Sequence, residues 1–177
     1  MADRSTDPTI VTGLFKDRDS AEKAYRSVSE RGYDTSDINL AMSEDTRKRY
    51  FGDGDTATTE LGNKAAEGAG VGGAIGGTIG AIAAAVAAVG TSLVIPGLGL
   101  VIAGPAAAAL AGAGAGAAAG GVIGALVGWG MPEERVKHYE AGIKSGGIVM
   151  GVKPRSDADA KLFAEDWKKH NAEHVYP

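Results

Sequence analysis

Residues 68–132 contain no charged side chain, although charged residues make up 23% of the whole chain. Glycines recur every four residues in two series: Gly68, Gly72, Gly76 and Gly80, and then Gly112, Gly116, Gly120, Gly124 and Gly128. On an α-helix, residues four apart lie nearly in line, so each series predicts a groove where another helix backbone approaches closely. Because each interior glycine costs roughly 1 kcal/mol against alanine, such helices depend on packing.

A flexible low-complexity linker is the alternative interpretation of this block. A linker does not need large apolar residues at regular spacing, and the first series is accompanied by several: Ile75, Ile79, Ile82, Val86 and Val89. Between the two series, Pro96 and Gly97 form a turn signal, and Pro105 stands where a helix can start. We therefore predict a glycine-zipper helical hairpin over residues 68–131, connected through these three residues.

The charged segment before the block has the pattern β-α-β. Residues 8–15 are β-branched and apolar enough for a strand. Asp19 and Glu22 resemble a capping box, and the helix that they begin is expected to end at Gly32. Residues 38–43 alternate between apolar and other side chains, as in a half-buried strand.

The charged segment after the block has the pattern α-β-α-β. Pro132 is predicted at the first position of a helix, and two acidic residues follow it in the first turn. This helix is expected to end near Gly146. Residues 147–152 are apolar throughout and predict a buried strand. Ser156 and Asp159 begin another helix, and a short strand is expected near residues 174–176.

These patterns predict an α+β, ferredoxin-like domain made of two split βαβ units and interrupted by the hairpin. A four-stranded sheet backed by two helices satisfies the right-handed crossover preference and covers one sheet face. The chain then divides into residues 1–67, with β-α-β and a polar linker, residues 68–131, the hairpin, and residues 132–177, the second half.

The sequence offers no catalytic, cofactor or metal site. The chain has no cysteine, which excludes thiolate chemistry and disulfides. A net charge of −4 without a concentrated basic patch argues against nucleic acid. A GxGxxG match at residues 68–73 lacks the preceding strand of a dinucleotide site, and His170 and His174 lack further metal ligands. We predict no enzyme activity, and the sequence identifies no small-molecule substrate.

The relation of the block to a membrane is left open by the sequence. Each arm of about 25 residues would reach roughly 37 Å, enough for the hydrocarbon core of a bilayer. The first arm has only six Ile or Val residues, so its insertion is marginal. The apolar connection predicts burial in lipid or in protein. No secretory signal is expected, which favours the cytoplasm or the cytoplasmic face of the inner membrane.

The chain resembles the bacterial general-stress or low-temperature-induced protein family, whose members carry a glycine-rich hydrophobic insert. The resemblance rests on TGLFKDRDSAEKAYRSVSERGYDTSDINL near the start and IPGLGLVIAGPAAAALAGAGAGAAAGGVIGALVGWGMPEERVKHYEAGIKSGGIVMGV later. It implies a stress-associated protein and supplies no catalytic residues.

Three functions follow as hypotheses. The first is a non-enzymatic, stress-associated protein that forms a homo-oligomer through its glycine-zipper helices, in water or at a membrane. The second is an integral or peripheral membrane protein whose hairpin enters the lipid bilayer from the cytoplasmic side. The third, a small-molecule binder on the ferredoxin-like sheet, rests on fold analogy alone.

Overall fold

The computed structural model describes residues 10–51, 92–95, 99–107, 121–129 and 131–177. These residues form helices and strands of an α+β fold. The first elements are β1 Val11–Phe15, α1 Arg18–Ser29, β2 Ile38–Ser43 and α2 Glu44–Phe51. They are followed by β3 Ser92–Ile95, β4 Leu100–Ala103, α3 Gly121–Gly128, α4 Glu133–Lys144, β5 Ile148–Val152, α5 Asp157–Lys169 and β6 Glu173–Tyr176.

The strands form one antiparallel sheet of six strands in the order β3-β4-β2-β5-β1-β6. β5 lies between β1 and β2, and β1 lies between β5 and β6. Each of the helices α1 and α5 therefore joins two strands that are separated by one other strand. The predicted four-stranded sheet is too small, because β3 and β4 extend it beyond β2.

One face of the sheet is covered by α1 and α5. The apolar residues of both helices face the sheet, since Ala24, Tyr25 and Val28 of α1 and Phe163 and Trp167 of α5 are buried. They pack on alternate residues of the central strands: Val11, Phe15, Leu40, Met42, Ile148, Met150 and Val152. This first face has an aromatic core, which includes an edge-to-face contact between Phe15 and Trp167 at 5.6 Å between ring centroids.

The opposite face is also covered, and here the prediction of helices on one face only is wrong. α4 follows the uncharged block and packs on this second face through Val136, Tyr139 and Ile143, with α3 beside it. Their partners in the sheet are Leu14, Ala41, Leu100, Ile102 and Val149. Two helices that the sequence does not assign to the sheet thus bury its other side, because the central strands β1, β2 and β5 carry apolar residues on both faces.

The connection between the two predicted arms is not part of a helical hairpin. Residues 92–95 and 100–103 are strands, with Ser92 paired to Ala103 and Ile95 to Leu100. β4 continues the pairing onto β2, so this segment lies in the domain and not at the far end of a projecting hairpin. The β-branched residues around Pro96 and Gly97 are a β-hairpin signal, and β4 satisfies its backbone groups by pairing with β3 on one side and β2 on the other. Within this connection, β4 is buried in protein.

Two helix starts differ from their predictions by a short distance. The residue that caps α1 is Asp17, whose carboxylate accepts from Ser20 N, and not Asp19. The cap requires an extended residue before the helix, and Asp17 has that conformation. Pro132 precedes α4, which begins at Glu133. Ser156 caps α5 by accepting from Asp159 N, as the sequence predicts.

The polar linker predicted after β2 begins with a helix. α2 has Glu44 and Asp45 in its first turn and basic residues in its last turn, which suits the helix dipole. Ser43 accepts from Thr46 N, and Arg18 of α1 donates to the carbonyl of Tyr50 at 2.7 Å. The charged run therefore forms a surface helix, which its weak apolar periodicity did not indicate.

Candidate helix-packing surface

α3 carries the last two members of the second glycine series. Its Val122, Ala125 and Leu126 are buried against α4 and the second face of the sheet. At 3.6 residues per turn, Gly124 and Gly128 lie on the far side of the helix from these three residues. Gly124 is half-buried and Gly128 is exposed. Among the described residues, the domain therefore holds α3 by its larger side chains.

Val127 lies next to the two glycines on this outward side. It is 42% exposed and is the one large hydrophobic residue classed as exposed among the described residues. We call the residues Gly124, Val127 and Gly128 the outer face of α3. A face with two side-chain-free positions and one exposed aliphatic residue permits another helix backbone to approach closely.

The end of α3 is fixed to the domain by Trp129. The backbone N–H of Trp129 donates to the carbonyl of Ala125, and Met131 N donates to Leu126 O. The indole ring covers Gly151 of β5 so closely that a Cβ there would lie 2.8 Å from the Trp129 ring. The outer face is consequently presented in a fixed orientation.

The start of the second arm is anchored on the same sheet face. Pro105 begins a helical turn over residues 105–107, where the sequence predicts a helix start. Asn39, in β2, accepts from Ala106 N at 2.7 Å through its side-chain oxygen and so caps this turn. Gly104 has φ +103°, and a Cβ on it would lie 2.5 Å from the Ile38 carbonyl oxygen.

Sequence reasoning missed Asn39 and Gly104. The available signal was Asn39 itself, a polar residue in the middle of an apolar strand. Its 7% exposure requires a hydrogen-bond partner, and the uncapped helix start supplies one.

The remaining residues predicted for helix packing lie outside the described residues. These are Gly68, Gly72, Gly76, Gly80, Gly112, Gly116 and Gly120, together with the turn residues Pro96 and Gly97. Their proposed roles stay predictions. The structure thus brings Gly124, Gly128 and Pro105 onto one side of one domain.

The buried hydroxyl of Tyr139 connects three elements of the fold. Buried Tyr139 donates to the carbonyl of His174 at 2.7 Å and lies 2.8 Å from the Thr12 hydroxyl, which joins α4 to β1 and β6. Burial is the main cause that raises the pKa of Tyr139 above its ordinary value. The described part contains no group of three or more potential metal ligands among His, Asp and Glu.

The two histidines that the sequence places four apart do not share a helix. His170 ends α5, near Asp166, while His174 lies in β6. His174 stacks on His138 of α4 instead, with 4.5 Å between ring centroids.

None of the helices in the described ranges combines the length and apolar character needed to cross a membrane. No family model, curated protein or solved structure matches the chain. The functional argument therefore rests on the residues of this chain.

Proposed function

We propose that this protein is a non-enzymatic, stress-associated protein that forms a homo-oligomer through its glycine-zipper helices. The observation that carries the proposal is the outer face of α3. Its glycines continue a five-member series with a period of four, yet the domain leaves Gly128 and Val127 exposed. A helix seated there from a second copy would bury Val127 and use the close approach that glycine allows.

The domain supplies a frame for this contact. We propose that β2, β5, β1 and β6 with α1 and α5 form a ferredoxin-like unit, to which the block adds strands on one edge and α3 on the second face. The strand order and the placement of the two helices support this fold assignment. The association with stress is supported by the sequence resemblance alone.

Light scattering after size-exclusion chromatography measures the assembly directly. We expect the wild-type chain to have a mass above that of a monomer. Gly128→Leu should lower this mass or shift dissociation to higher protein concentration, because the leucine side chain keeps the partner backbone away. Gly120→Leu together with Gly128→Leu should have the larger effect.

Ala141→Leu is the matched control, because it adds the same bulk at an exposed position of α4, outside the glycine series. It should leave the mass unchanged. A wild-type chain that is monomeric at all concentrations, or a double variant with wild-type mass, would contradict the proposal.

Cell fractionation tests whether the assembly is associated with lipid. Recovery of the protein with membranes, and its release only by detergent, would favour the alternative in which the block inserts into a bilayer. Complete recovery without detergent favours contacts between copies of the chain in water.

A further inference from the structure

The two edges of the sheet differ in their protection against pairing with another strand. The edge strand β6 has several of the features by which natural proteins block edge pairing. Glu173 carries a charge and forms a 2.6 Å ion pair with Lys16, and His174 has φ +49°. The pairing with β1 shifts register between Thr12 and Leu14, and Pro177 follows the strand.

The opposite edge strand, β3, lacks the charge and the register shift, although Pro96 follows it as Pro177 follows β6. Its residues, Ser92–Ile95, include no charge and no proline. Its four pairs with β4 run in unbroken register from Ser92↔Ala103 to Ile95↔Leu100. Within the described ranges no strand pairs with its other side. An extended backbone of this kind presents a row of N–H and C=O groups that only another strand satisfies in a regular way.

We propose that β3 is a second self-association site, at which it pairs antiparallel with β3 of another copy across a two-fold axis. The uncharged strand creates no like-charge repulsion when it meets itself, and an identical strand is complementary to it in antiparallel orientation. The β6 edge is protected, whereas the β3 edge is unpaired within the described ranges, so the two edges of the sheet differ.

This inference rests on the proposed function in that both require self-association, but it uses different residues. The α3 contact and the β3 contact lie on different elements, so a copy that uses both binds two neighbours. Two separate two-fold contacts produce assemblies larger than a dimer. A four-residue strand pair is small, so the β3 contact alone should be weak and dependent on concentration.

Proline variants of β3 test the contact. Successive backbone N–H groups of a strand point to opposite sides, so either Leu93 or Val94 directs its N–H toward β4 and the other directs it outward. Proline is tolerated where the N–H faces away from the sheet. Of Leu93→Pro and Val94→Pro, one should therefore keep the wild-type circular dichroism spectrum and melting temperature, and that variant is compared with the wild type by light scattering.

The masses of four proteins separate the two contacts. We expect the wild type to exceed a dimer, Gly120→Leu with Gly128→Leu to be a dimer through β3, and the tolerated proline variant to be a dimer through α3. The chain with all these changes should be a monomer. If the tolerated proline variant keeps the wild-type mass while the glycine variants reduce it, the β3 inference is overturned and the proposed function stands.

Disulfide cross-linking tests the contact if both proline variants unfold. Because the chain has no cysteine, single-cysteine variants at positions 92, 93, 94 and 95 report on that position alone. Facing residues of a two-fold strand pair are close enough for a disulfide. We expect a cross-linked dimer at one or two neighbouring positions, at least tenfold above Ala158→Cys, an exposed control on α5. Equal cross-linking at the control and all four positions would overturn the inference.

Discussion

The two faces of the sheet are buried by different means. The first face is closed by α1 and α5, which lie within the two βαβ units, and its core is rich in aromatic residues. The second face is closed by α3 and α4, which come from the end of the uncharged block and the segment after it, and it includes several alanines. The described parts of the block thus belong to the domain, since the sheet would expose an apolar face without them.

From this difference we expect a substitution on the first face to lower the free energy of unfolding more than one on the second face. Trp167→Ala should have the largest effect, because Trp167 is fully buried, contacts Phe15 and closes over Gly13. We expect the free energy of unfolding in urea to fall by about 3–5 kcal/mol. A loss below about 1 kcal/mol would show that the aromatic core is not the main stabilising contact.

Leu126→Ala tests whether the second face unfolds together with the first. Leu126 is fully buried between α3 and the sheet, so we expect Leu126→Ala to lower the free energy of unfolding by about 2–5 kcal/mol.

The chain has two tryptophans, with Trp129 on the second face and Trp167 on the first. Trp167→Phe and Trp129→Phe each leave one fluorescent probe, and both probes should report one midpoint in urea. Two separate midpoints would mean that the second face is an independent unit.

Gly104→Ala tests the anchor of the second arm. We expect a loss of about 2–4 kcal/mol, because the added Cβ meets the Ile38 carbonyl and the residue has a positive φ. Gly32→Ala is the matched control, since Gly32 has φ +83° but open space around it. It should cost only about 1–2 kcal/mol. Equal losses in thermal denaturation would show that the contact with β2 adds nothing.

Each face buries a tyrosine whose ionisation is expected to have the smallest effect on stability. Burial, followed by the nearby Glu22 and Asp34, raises the pKa of Tyr25 to about 12, and burial also raises the pKa of Tyr139. An unfolded tyrosine ionises near pH 10, so ionisation favours the unfolded chain above that pH. Stability from these groups is therefore fully present below about pH 10 and falls as the pH rises toward the folded pKa values.

Tyr139→Phe should weaken this alkaline fall, and at pH 7 it should cost only about 1 kcal/mol for the lost hydrogen bond. Tyr25→Phe provides the comparison on the first face. The measurement is the urea midpoint between pH 7 and pH 11. An unchanged pH profile in both variants would exclude these tyrosines as the cause.

The first face of the sheet and the helices α1 and α5 that cover it could be predicted from local sequence. Ala24, Tyr25 and Val28 recur at helical spacing, and Ser156 stands three residues before Asp159, so the period and the cap are visible without tertiary contacts. The apolar run at residues 148–152 also indicates burial on both faces. The helices that cover the second face cannot be identified from local periodicity, because they contact strands that are distant in the sequence.

The helix-packing surface was predictable only in part. The period of four identifies Gly124 and Gly128, but their outward position depends on Leu126 facing the sheet. The β3–β4 hairpin was misassigned because the glycines around it suggested a helical context, whereas pairing with Leu40 to Ser43 of β2 decides the strand conformation. Asn39 acquires its capping role through Ala106, which is 67 residues away in the sequence.

The position of β5 has a consequence for synthesis on the ribosome. β1 and β2 do not pair with each other but with β5, which begins at Ile148, after the whole uncharged block. At about 5–20 residues per second, roughly 5–20 s separate the synthesis of β2 from that of β5. During that interval the apolar block has left the ribosome while the centre of its sheet is missing. The nascent chain is therefore exposed to aggregation for longer than its size suggests.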